Sequence, residues 1–178
     1  MNRQNWRVWP NAVDTDSIIE IAKDYPLHQA TTFDGTNLDV RRSQVRWLTD
    51  RDDIRNLLIP FISEAAGIMG IDVQDLAEIQ YTEYYASEGG KYDWHVDTDW
   101  CDARGYLDRK LSITVQLSDP SEYEGGDFEF LEVEQIPPWG KNKGSVLVFP
   151  SYLSHRVSPV TSGVRRSLVA WFSGPKWR

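Results

Sequence analysis

Cysteine is almost missing from this chain: Cys101 is the one thiol among 178 residues. An intrachain disulfide is therefore excluded, and nothing suggests an oxidising compartment. Positive charge is also scarce. Nineteen Lys and Arg stand against 27 Asp and Glu, a formal net charge of −8. That balance argues against a mainly electrostatic grip on nucleic acid, though it leaves room for a small local basic patch. No run approaches the roughly 20 apolar residues of a membrane span. The opening MNRQNWRVWPNAVDTD lacks the apolar stretch of a secretion signal. These absences predict a cytoplasmic protein with neither nucleic acid nor membrane as partner. No internal repeat, low-complexity tract or linker interrupts the chain, and its length suits one domain over 1–178.

What the chain does have is rings: eight Trp and eight Tyr, enough for an aromatic core or binding face. Residues 1–13 read as a short strand with Trp6, Val8 and Val13 on its apolar side. Asp14 or Thr15 caps a helix over 16–25 that Pro26 stops. Residues 27–38 read as loop. VRRSQVRWL (40–48) alternates as a strand, with its arginines assigned to solvent. Thr49 or Asp50 caps a helix over 52–68, apolar on one side through Ile54, Leu57, Leu58, Phe61, Ile62 and Ala65, and ended by Gly67 and Gly70. From Leu76 the period becomes two. Strands are predicted over 77–85, 91–97, 109–118, 126–132, 145–149, 153–158 and 165–173, separated by glycine- and proline-rich turns. The acidic run SEYEGGDFEFLEVE reads as a solvated hairpin. The pattern predicts a mainly β fold with N-terminal helices: a double-stranded β-helix (jelly roll, cupin-like) over 76–173, supported by 1–75.

Histidine is as sparse as it is informative. His95 and Asp97 sit two apart in a predicted strand, so both side chains face one way. Asp99 is a poorer partner, about 13 Å of strand from His95 against about 7 Å for Asp97. Of the other two histidines, His28 follows Pro26 in a loop and reads as a surface residue. His155, in PSYLSHRVSPV, is the second imidazole available. Two imidazoles and one carboxylate leave open positions on an octahedral metal, the arrangement of non-haem Fe(II) oxygenases. Ten residues past His155 comes Arg165, after Pro159 and Gly163, which are expected to reverse the chain. In RRSLVAWF, Arg165, Ser167, Val169 and Trp171 share a face opposite Arg166, which is expected in solvent or on an acid. A buried guanidinium needs an anion, and its fork matches a carboxylate.

The pieces EYYASEGGKYDWHVD, LSITVQLSDPSEYEGGDFEF, GSVLVFPSYLSHRVSPVTSGVRR and AWF resemble the 2-oxoglutarate and Fe(II)-dependent oxygenases, in particular the prolyl 4-hydroxylase-like branch called PKHD-type hydroxylases. The resemblance covers about Gln80 to Phe172. It implies that His95, Asp97 and His155 hold Fe(II). It also implies that Arg165 binds the distal carboxylate of 2-oxoglutarate, with Ser167 as a further contact. A tyrosine before the HxD donates to that carboxylate, Tyr84 fitting best and Tyr85 being the alternative. The implied reaction uses O2, releases succinate and CO2, and hydroxylates a peptidyl or protein residue, proline by default, or else a small molecule. Ascorbate is the implied re-reductant.

Around the site, Trp94 reads as packing, while Trp100, Tyr106 and Trp139 are loop aromatics available as a substrate platform. Cys101 beside the site reads as a spectator thiol or a redox target. The loop 98–110 is expected at the mouth of the barrel. Two competing readings are a metallohydrolase or cupin-like isomerase, which needs a metal-activated water and a base, and a non-catalytic binding barrel. The first leaves Arg165 without an anion, and the presence of all three ligands together with the arginine counts against the second.

Overall fold

The structure is a computed structural model and describes residues 4–99 and 106–178, the side chains of 75–77 apart. Among the described residues, twelve strands and two α-helices follow in the order β1 (Arg7–Trp9), α1 (Asp16–Ala22), β2 (His28–Gln29), β3 (Arg41–Arg42), β4 (Gln44–Trp47), α2 (Asp52–Met69), β5 (Asp75–Tyr85), β6 (Lys91–His95), β7 (Leu107–Gln116), β8 (Tyr123–Gly125), β9 (Phe128–Phe130), β10 (Val146–Pro150), β11 (His155–Val157) and β12 (Val160–Pro175). They form a major sheet ordered β1-β10-β7-β12-β5-β4-β2, with β8 also on β12, and a minor sheet ordered β3-β6-β11-β9. All of the strand pairs are antiparallel. Two such sheets face to face are the jelly roll that the period-two pattern predicts. No described helix is long and apolar enough to cross a membrane.

Each central strand of the major sheet has two unlike faces. Ile79 and Tyr81, Leu111, Ile113 and Val115, Val146 and Val148, and Leu168, Ala170 and Phe172 point to one side. There they bury Ile18 and Ala22 of α1 and Ile54, Leu58, Ile62 and Ala65 of α2. The alternate residues face the minor sheet. Some are apolar, with Leu147 and Phe149 joining Tyr84, Tyr123, Phe128, Phe130, Val157 and Val160 in a second cluster. Many are polar yet buried: Gln80, Thr82, Ser112, Thr114, Gln116, Arg165 and Ser167. A sheet face this polar and this dry marks where chemistry is done.

Several sequence expectations are corrected here. The caps of α2 are neither Thr49 nor Asp50: the N-cap position is Arg51. The Thr49 hydroxyl accepts from the Ile79 amide and Asp50 accepts from the Tyr25 hydroxyl, so tertiary partners have claimed both. Gly67 lies inside α2, which Gly70 ends in the left-handed region (φ 66°). The first helix stops at Ala22, short of Pro26, and the loop 27–38 contains the two-residue β2. Val13 joins the helix-side core, while Trp6 and Val8 pack on the cluster between the sheets. The run 40–48 is not one strand. Arg41–Arg42 pairs with β6 in the minor sheet and Gln44–Trp47 with β5 in the major one, Ser43 being the crossing point. The acidic run is no hairpin either, because β8 joins β12 and β9 joins β11, burying Tyr123, Phe128 and Phe130.

The last strand begins five residues earlier than expected, at Val160, so Gly163 lies inside it rather than in a turn before it. Gly163 is a kink within the strand, at φ 69°. A Cβ there would lie 1.9 Å from the Glu122 carbonyl oxygen, so only glycine lets β8 and β12 approach.

Candidate metal and anion site

β6 and β11 are neighbours in the minor sheet, and their register sets His95 directly opposite His155. Asp97 reaches them by another route than expected. The strand ends at His95, and Asp97 lies in the bend beyond it, where its amide donates to the Ser151 carbonyl (2.9 Å). The three side chains converge, their ligand atoms all within 4.8 Å of one another; Asp99 is not among them. His95 Nε2 is 3.7 Å from Asp97 Oδ1, and His155 Nε2 is 3.6 Å from Asp97 Oδ2.

Both imidazoles are fixed from behind. His95 Nδ1 lies 2.7 Å from the Asp93 carbonyl and His155 Nδ1 lies 2.9 Å from that of Leu153. A carbonyl only accepts, so each Nδ1 carries a proton, and in the neutral ring it is Nε2 that offers a lone pair. Burial pulls the His95 imidazole down to about 3, and the nearby His155 adds to the effect. Burial alone would raise Asp97, but His155, His95 and the Ser112 hydroxyl outweigh it and bring the carboxyl below its usual value. Neutral imidazole beside carboxylate is the protonation state that takes a metal. The Ser112 hydroxyl donates to Asp97 Oδ2 at 2.6 Å and in turn accepts from Ser151 at 2.9 Å. Tyr92 stacks on His95 with centroids 3.4 Å apart.

Facing these ligands across the cavity is the major sheet. Arg165, Tyr84, Ser167, Thr82, Thr114 and Trp171 line the same space as the triad. Arg165 is 1% exposed, yet among the described residues it makes a single hydrogen bond, from Nη2 to Gln116 Oε1, 2.9 Å away. Its Nε and Nη1 have no partner among the described residues. A buried guanidinium with two idle donors is costly by itself and matches a carboxylate fork. Its carbon lies 5.5 Å from the Tyr84 ring, which pairs opposite it on β5. Tyr84 faces the cavity and Tyr85 does not line it. Ser167 follows on the cavity side. Arg166 turns away, to Glu83 at 3.4 Å and Glu122 at 3.5 Å.

The donor set therefore suits a divalent metal held by His95, Asp97 and His155, with open positions toward an anion at Arg165. Sequence reasoning missed several residues here. Arg41 was assigned to solvent but is 7% exposed and lines the cavity. It occupies the same parity as buried Val45, which was the available signal, but the break at Ser43 hid what it faced. Gln80, Tyr92, Ser112, Gln116 and Arg109 had no motif to announce them. Of the proposed loop aromatics, Tyr106 is 93% exposed and Trp139 44%, and neither lines the cavities. Trp94 faces outward against Arg156. Trp100 and Cys101 lie outside the described residues.

Comparison with known proteins agrees with this geometry. Residues 79–173, more than half of the chain, match the profile of the 2OG-Fe(II) oxygenase superfamily. A PKHD-type hydroxylase of Synechococcus sp. (strain CC9311) is 43% identical over 84 residues, which are 47% of this chain and 36% of the relative. One from Idiomarina loihiensis is 25% identical over 166 residues, 90% of this chain and 74% of the relative. The chain thus spans little more than a third of the Synechococcus protein it matches. Among solved structures, the viral collagen prolyl hydroxylase of Paramecium bursaria Chlorella virus-1, in its 2OG complex, superposes with a TM-score of 0.74 at 21% identity, covering 96% of this chain and 97% of the other. That likeness speaks for the fold.

Proposed function

Since the chain belongs to the 2OG-Fe(II) oxygenase superfamily, we propose that it is a 2-oxoglutarate-dependent dioxygenase that hydroxylates a peptidyl residue, with proline as the target. The observation that carries this reading is Arg165: a buried guanidinium with Nε and Nη1 unpartnered, in the same cavity as a converging His-Asp-His set. A hydrolase or a passive metal site has no use for that cation; a dicarboxylate chelating the metal does.

His95, Asp97 and His155 hold the Fe(II), and Arg165, with Tyr84 and Ser167 beside it, takes the distal carboxylate of 2-oxoglutarate. Once bound, iron, cosubstrate and O2 supply the oxidising power, releasing succinate and CO2 as a C–H bond is hydroxylated. The protein's contribution is geometry. The backbone carbonyls of Asp93 and Leu153 aim the two imidazoles, and Ser112 holds one carboxylate oxygen of Asp97. Phe128 and Phe149 pack on His155, with centroids 5.2 and 4.7 Å away, and keep that side dry. Peptide hydroxylation is favoured by the PKHD-type relatives and by the fold shared with a prolyl hydroxylase.

The test is anaerobic addition of Fe(II) and then 2-oxoglutarate to metal-free protein. A visible metal-to-ligand charge-transfer band, lost in Asp97→Ala, is the expected result, followed by succinate release on admitting O2 with a prolyl peptide. Stoichiometric metal binding without the band would reject the oxygenase reading.

A further inference from the structure

A second cavity of about 330 Å³ adjoins the metal site and shares Arg41, Gln80, Tyr92, Asp97 and Trp171 with it. It is large enough for a substrate side chain, several times the roughly 30 Å³ share of one liquid water. Two half-exposed rings line it, Phe33 at 56% and Trp47 at 38%. Its wall holds two guanidinium groups. Arg109 is matched by an acid, its Nη2 donating to Glu78, and it stacks 4.1 Å above Trp171.

Arg41 has no such match among the described residues. Among those residues its three hydrogen bonds run to neutral oxygens: Ser43 Oγ at 3.0 Å, the Thr31 carbonyl at 3.0 Å and Gln80 Oε1 at 2.7 Å. The ring under it, 4.5 Å away, is Tyr92, which brings no carboxylate. Asp97 shares the cavity, but its carboxylate belongs to the metal site and to Ser112. Charge can then be followed through the loaded site. The two positive charges of the ion and that of Arg165 are matched by Asp97 and by the two carboxylates of the cosubstrate. Glu78 matches Arg109. Among the described residues, Arg41 remains buried without a matching charge, and a cation in such a place is stabilised by an anion that arrives later.

We propose that Arg41 reads a carboxylate on the substrate, making this an oxygenase for acidic substrates: a target residue flanked by Asp or Glu, or one bearing a free carboxyl group. This rests on the oxygenase reading of the cavity. Gln80 is its partner in the task. Gln80 Oε1 accepts from both Arg41 and the Thr82 hydroxyl (3.1 Å), which fixes the amide and leaves its NH2 as a donor on the cavity wall.

The experiment titrates twin probes into anaerobic protein loaded with Fe(II) and 2-oxoglutarate, so that Arg165 is occupied, and follows tryptophan fluorescence. One pair is an end-blocked prolyl peptide with glutamate or glutamine beside the proline. The other is an N-acetyl amino acid as the free acid or as the amide. The carboxylate twin is expected to bind about tenfold or more tightly than the amide twin. That preference should vanish in Arg41→Met. It should also vanish in Gln80→Glu, which keeps Arg41 in place but supplies an internal carboxylate. The second variant separates anion reading from a merely structural clamp, since the clamp would be strengthened and the preference kept. Retention of the charge-transfer band shows that each variant is folded. A preference seen with the N-acetyl pair alone upholds Arg41 and discards the prolyl peptide target. No preference in either pair, or one that survives Gln80→Glu, overturns the proposal.

Discussion

Arg165 sits in a wall of the cavity where no described residue neutralises it, with Nε and Nη1 both buried and without a partner among those residues. An unpaired buried charge carries its desolvation penalty without compensation, and an apolar side chain of similar volume removes that penalty. Arg165→Met is therefore expected to leave the cosubstrate-free protein at least as stable as the parent in urea, while weakening 2-oxoglutarate by roughly 2–4 kcal/mol, about 30- to 1000-fold. Marked destabilisation of the free variant would mean that the guanidinium already has its partner. Ser112 behaves oppositely. Its hydroxyl is the direct donor to Asp97 Oδ2 and stands between that carboxylate and Ser151. Losing such a support to a metal ligand costs about 10- to 100-fold in metal affinity. Co(II) titration of Ser112→Ala should show that loss, with a smaller one in Ser151→Ala, whose hydroxyl is one step removed. Equal affinities for all three proteins would strip Ser112 of the role.

At the scale of elements, α2 carries an internal proline, Pro60, exposed and eight residues into the helix. It removes one i→i−4 bond and crowds the preceding turn, against a cost of up to about 3 kcal/mol in a helix interior. Pro60→Ala should raise the urea midpoint by an amount worth roughly 1–3 kcal/mol and leave metal binding untouched. An unchanged midpoint would show that the helix is already bent to suit the proline. The helix itself was legible because Ile54, Leu58, Ile62 and Ala65 recur at its period and all four are buried. So was the parity of β12, which puts Arg165, Ser167, Val169 and Trp171 on the cavity. Periodicity fails where a strand changes partners. Ser43 divides one alternating run between two sheets, so Arg41 reads as a solvent residue although it faces the cavity. Asp97 was found for a partly wrong reason: it reaches the histidines from a bend held by Ser151, a contact made across 54 residues of chain. Buried Ser112 and Gln80 carry no local signature, because their task is defined by what the opposite sheet presents.

Across the whole molecule, the proposed ligands are divided between the two sheets. His95 and His155 belong to the minor sheet and Asp97 to the bend that follows β6, while Arg165, Tyr84 and Ser167 belong to the major one. Metal alone should therefore tighten mainly the minor sheet, and the cosubstrate, chelating metal at one end and meeting Arg165 at the other, should tie the sheets together. A ligand held at a hundred times its dissociation constant stabilises the folded state by about 2.7 kcal/mol. For a chain of this length that corresponds to a rise of roughly 5–10 °C in Tm. The location of the effect is as informative as its size. In anaerobic hydrogen exchange, Fe(II) is expected to slow amides of β6 and β11. Adding 2-oxoglutarate should extend protection to β12 and β5, on either side of the Arg165–Tyr84 pair. In Arg165→Met the first step should survive and the second disappear. Protection of β12 by the cosubstrate in that variant would place the anion elsewhere and remove the bridge between the sheets.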